Sequence, residues 1–140
     1  MGPRRLGAAA ALLAAAALVS PAKAASTFDG IWSVTVTCQN APDGAFGYSL
    51  FFSAQVKDGV LHGENGVRGQ PSWLSLDGQI QPDGGAALFA HGLTGSAAYN
   101  VGRVGQSLPY QYHVQAHFDA VQGTGTRLEL RPCALYFRKA

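Results

Sequence analysis

The chain has 140 residues, of which 47% are apolar, 13% charged and 10% aromatic, with 18 glycines, 7 prolines and 2 cysteines. That length suits one domain and not a multidomain enzyme, the low charge argues against a coiled coil, and the apolar share is too high for a disordered tail. The formal charge of +2 rests on a basic N-terminal stretch.

Residues 1–24 read as a secretory signal peptide. Arg4 and Arg5 precede an apolar run from Leu6 to Val19, and Ala22-Lys23-Ala24 supplies the small residues of a cleavage site. The run is shorter than the roughly 20 residues a membrane-spanning helix needs. Cleavage is expected after Ala24, leaving residues 25–140 as a single domain in the periplasm or secreted. Without Arg4, Arg5 and Lys23 that domain holds 7 basic and 8 acidic residues. Such a balance offers no basic patch for nucleic acid, and no later stretch is suited to a membrane.

From Ala25 onward no segment has helical periodicity, whereas apolar and polar residues alternate between turn signals. The first expected strand, 29–38, puts Trp32, Val34, Val36 and Cys38 on one face. The second, 47–57, does the same with Tyr48, Leu50, Phe52, Ala54 and Val56. Asp58-Gly59 has the chemistry of a two-residue hairpin turn, which sets Val56 opposite Leu61 in a third strand, 60–65. Pro82-Asp83-Gly84 joins strands at 72–80 and 86–93. A sixth strand is expected at 97–104 and a seventh at 109–119, where Tyr110, Tyr112, Val114, Ala116 and Phe118 share one face. An eighth spans 124–138, with a bulge or bend at Pro132 that shifts the apolar parity from Leu128 and Leu130 to Cys133, Leu135 and Phe137.

In an exported chain two cysteines pair more readily than they remain thiols, so Cys38 and Cys133 are expected to form a disulfide. On the chain-entropy view this constrains the unfolded state by roughly 4–5 kcal/mol. The bridge also implies an antiparallel register with Val36 opposite Leu135 and Val34 opposite Phe137. First and last strands side by side close the sheet, giving an all-β, antiparallel up-and-down β-barrel of about eight strands.

Gly30-Ile31-Trp32 at the head of the first strand, the eight-strand meander and Arg138 near the end of the last resemble the calycin barrels of the lipocalin and avidin families. The resemblance implies that Trp32 closes one barrel end with Arg138 packed against it. The register from the disulfide, however, sets Arg138 on the opposite face from Trp32.

No catalytic residue is expected. His113 and His117 lie about 13 Å apart on an extended strand and face outward, and with His62 and His91 they form no close-spaced set, so neither a metal nor another cofactor is expected. Asp58, Asp83 and Asp43 fit turns. Glu64 beside His62 is the one suggestive acid–base pair, and an exposed hairpin edge accounts for it. No serine elbow or phosphate loop occurs. The inward aromatics leave two readings, a filled core or a cavity for a small ligand. The expected function is a non-enzymatic exported binding protein, holding a small apolar or aromatic ligand against Trp32, Tyr48, Phe52, Tyr110 and Tyr112. The alternative is an inhibitor or accessory protein docking on an exported enzyme through loops 40–46 or 63–72, with Phe51, Trp73 and Phe89 outside.

Overall fold

The computed structural model describes residues 26–140 and, upstream, only positions 2, 3, 7 and 9–11; the rest of the expected signal segment and its cleavage site lie outside the described residues. Eight strands follow one another: β1 (Gly30–Cys38), β2 (Tyr48–Lys57), β3 (Val60–Asn65), β4 (Leu74–Gln79), β5 (Gly85–Leu93), β6 (Pro109–Phe118), β7 (Gln122–Arg127) and β8 (Cys133–Lys139). Each pairs antiparallel with the next, and β1 pairs with β8 to close the barrel. Cys38 and Cys133 are disulfide-bonded, and Val36 faces Leu135 and Val34 faces Phe137 in the register expected.

Turn chemistry sets the hairpins. Asp58 and Gly59 both have positive φ, 51° and 78°, and set Val56 opposite Leu61. The Asp29 carboxylate receives the backbone N–H groups of Asp58 and Gly59 at 2.9 and 3.0 Å, tying the start of β1 to this turn. At Pro82-Asp83-Gly84, the Gly84 N–H reaches back to the Gln81 carbonyl and Gly84 takes φ 92°.

The structure corrects two expected strands. Residues 97–104 form two 3-10 turns, Ala97–Tyr99 and Val101–Arg103, not a strand. The Asn100 side chain donates to the carbonyls of Gly95 and Val104, and Gly102 and Arg103 take positive φ, so local bonds replace a ladder. The single strand at 124–138 is two strands, β7 and β8, joined by a reversal in which Leu130 has φ 70° and the Arg131 N–H bonds to the Glu129 carbonyl. Leu128 and Leu130, expected inward, are 57% and 66% exposed, while Arg127 points in at 6%. The expected number of strands survives because one strand lost is offset by one divided.

The interior is packed tightest at the end where β2 turns into β3. Trp32, fully buried, donates its indole N–H to the Phe28 carbonyl at 2.8 Å and meets Phe118 edge-on at 5.4 Å. Phe118 also contacts Phe137, with ring centroids 4.6 Å apart. Space for the Phe118 ring comes from β7, where a Cβ on Gly123 would lie 2.7 Å from it. The expected Arg138–Trp32 contact is not made. Arg138 pairs with Ser33 and is exposed, whereas Lys139 stands opposite Trp32 and donates to the Thr27 carbonyl. The closed barrel is consistent with a calycin-like fold, without this arginine feature.

Candidate functional site

Along β2 the inward residues change character. Ala54 and Val56 are buried, but Tyr48, Leu50 and Phe52 are only half-buried. The barrel therefore opens toward the start of β2. The connections at that end are the long ones, residues 39–47, 66–73, 94–108 and 128–132, whereas the opposite end is closed by tight turns. At this end lies an open-mouthed cavity of about 690 Å³, lined in part by the last three of these connections.

Tyr48 and Leu50 from β2, Tyr110 from β6, Arg127 from β7 and Arg131 from the β7–β8 turn line the inner wall; Leu93 at the end of β5 and Thr94, Val101, Val104 and Leu108 from the β5–β6 connection line the rim. That connection holds its shape through Thr94. Its hydroxyl donates to the Gly105 carbonyl at 2.6 Å and accepts the Leu108 N–H at 2.9 Å. It is braced against the β1–β2 connection by a bond from the Phe46 N–H to the Ala98 carbonyl and an edge contact of Phe46 with Tyr99. The Asp43 carboxylate, expected only to make its own turn, accepts N–H bonds from Ala45 and Gly102. These two bonds, the Gly102 one foremost, hold it below its usual range.

Of the expected ligand-lining residues, Tyr48 and Tyr110 line this cavity. Tyr112 is buried beneath it, stacked on Tyr110 with ring centroids 6.2 Å apart. Burial pushes both the Tyr110 and Tyr112 phenols well above their ordinary value of 10, with neighbouring tyrosines adding to the shift and Arg127 opposing it. Phe52 packs at the edge of the core, and Trp32 belongs to the packed end, away from the mouth.

Two arginines are the site residues that alternation did not single out. Arg127 holds the third inward position of β7 after Gly123 and Gly125, and its guanidinium lies 4.0 Å from the Tyr112 ring centre. Its Nε donates to the Glu129 carbonyl at 2.8 Å. Arg131, 5% exposed, lies over Tyr48 at 5.1 Å and donates to the carbonyls of Tyr99, Gln39 and Phe46, joining three connections around the mouth. With Leu128 and Leu130 read as inward, alternation turns Arg127 outward, so no sequence signal marks it.

The acid–base candidates lie elsewhere, on the outer face. Glu64 accepts from Arg68 at 2.8 Å and from the Trp73 indole at 3.2 Å, and the Arg68 bond foremost holds its carboxyl below the usual range. His62 is 3.8 Å from Glu64 and bonds to Asp77. His113 pairs with Glu129 at 2.6 Å, and Trp73 packs over His91. Among the described residues no three His, Cys, Asp or Glu side chains converge on a common point that could hold a metal ion, and no helix is long and apolar enough to cross a membrane. Phe51 is exposed on the outer face of β2, and it makes no ring contact with Trp73. Comparison with known proteins found no matching family model, curated protein or solved structure.

Proposed function

We propose that the protein is a non-enzymatic exported binding protein that holds one small ligand with an apolar or aromatic body in the mouth of its barrel. The observation that carries this reading is the asymmetry of the interior: a cavity of about 690 Å³ at the end opposite the tight turns, lined by Leu50, Leu93, Val101, Val104, Leu108 and three tyrosines. Ligand pockets in proteins are of this size and are mainly apolar with a few polar groups. The disulfide and the N-terminal signal pattern support export to the periplasm or beyond.

Titration of the oxidised protein with N-phenyl-1-naphthylamine, whose fluorescence rises in apolar surroundings, tests the reading. One equivalent is expected to bind saturably, and Leu50→Trp, which fills the cavity from its wall, is expected to abolish binding while the fold persists. No saturable binding by the wild-type protein, or equal binding by the variant, would refute the proposal.

A further inference from the structure

Resting on that cavity, we infer that the ligand is an amphipathic anion, with an acid group seated at Arg127 and an apolar body toward the β5–β6 rim. The mouth is one-sided in charge. Two arginines line it and no aspartate or glutamate does. Both arginines are more than nine-tenths buried, and neither makes an ion pair among the described residues. The carboxylate nearest in chain, Glu129, bonds to the His113 backbone N–H and ring at 2.7 and 2.6 Å and acts on Arg127 only by through-space attraction, without a direct contact.

A buried cation without a counter-ion is costly, and burial in proteins is ordinarily accompanied by pairing. The two arginines meet this cost differently. Arg131 uses its guanidinium on three loop carbonyls, and its Nε is sealed off without a partner. It is a brace whose positive field reaches the cavity. Arg127 spends Nε on one carbonyl, and its Nη1 has only the Cys133 sulfur at 3.9 Å. Its Nη2 donates to no protein atom and is not sealed off. A guanidinium has five N–H donors in a planar fork that matches the two oxygens of an acid group. The phenols of Tyr48 and Tyr110 add neutral donors on the same wall. The opposite side, Leu93, Val101, Val104 and Leu108, suits hydrocarbon.

A matched pair of probes isolates the charge. N-phenyl-1-naphthylamine and 1-anilinonaphthalene-8-sulfonate share one aromatic body and differ by the sulfonate. The wild-type protein is expected to bind the sulfonate about tenfold more tightly, equivalent to ~1.4 kcal/mol. Arg127→Met is expected to remove that preference, so that the sulfonate binds no more tightly than the neutral probe. Equal or weaker binding of the sulfonate by the wild-type protein overturns the inference without need of any variant, and leaves the cavity reading standing; failure of both probes overturns both. Displacement of the neutral probe by decanoate or by 1-naphthoate separates chain-bodied from ring-bodied acids. Displacement by neither overturns the inference.

Discussion

The two ends of the barrel are built from the same eight strands and solve opposite problems. At the end holding the β2–β3, β4–β5 and β6–β7 turns, short reversals bring Trp32, Phe28, Phe118 and Phe137 into contact, and glycine on β7 gives the rings room. At the other end, four longer connections stand apart over Tyr48, Leu50 and Tyr110, and among the described residues the only charged side chains turned inward are Arg127 and Arg131. The aromatic packing is therefore concentrated where the turns are tight, and the cavity where the connections are long. The disulfide lies at the mouth end of the β1–β8 seam, where it fixes the closure of the rim above Val36 and Leu135.

If that division holds, substitutions at the two ends have separable effects. The largest loss of stability is expected from Trp32→Ala, about 3–5 kcal/mol by chemical denaturation, because it removes a fully buried ring from the packed end. Replacing Cys38 and Cys133 together by serine is expected to cost about 2–5 kcal/mol and to weaken probe binding, since the seam that it releases borders the mouth. Gly123→Ala is expected to cost about 1–3 kcal/mol, as the added methyl must displace the Phe118 ring while the cavity stays intact. Leu50→Trp should change stability by about 1 kcal/mol or less and remove binding. A Leu50→Trp variant that is strongly destabilised, or a Gly123→Ala variant that loses binding, would break the comparison.

The smallest expected effect concerns pH. The Ser26 hydroxyl first, and then the Gly59 N–H, hold the Asp29 carboxyl below its ordinary value of 3.8. A depressed folded-state value means that its contribution is present above 3.8 and is lost as the pH falls through the lower, folded value. Thermal melts between pH 5 and 2 should accordingly show a shallower acid decline for Asp29→Asn than for the wild-type protein. Identical slopes would show that this tie at the closed end adds nothing.

Much of the fold is legible in alternation and turns. Tyr110 to Phe118 alternate without interruption, which marks β6 and its inward face, and Asp58-Gly59 permits few reversals other than a tight hairpin, so the register of β2 with β3 follows from local chemistry. The two cysteines add the long-range pairing that local patterns cannot supply. What alternation misses is set by side chains bonding to backbone. Asn100 holds 97–104 out of the sheet, and the Arg131 clamp sits in a turn with no periodicity to mark it. The site was legible only in part for the same reason. Parity identifies which aromatics point inward, but not which end of the barrel is filled, so Trp32 and Tyr48 look alike in the sequence and lie at opposite ends in the fold. Arg127 reads as outward beside Leu128 and Leu130, but in the fold it turns inward at the mouth.

The division between a sealed end and a receptive one is tested most directly by mapping backbone and indole N–H chemical shifts during titration with N-phenyl-1-naphthylamine. Shifts confined to Leu50, Thr94, Leu108, Tyr110 and their neighbours, with the Trp32 indole N–H unmoved, are the expected result. A Trp32 indole that moves with the rim residues, or shifts spread over the outer face around Trp73 and Phe51, would contradict it.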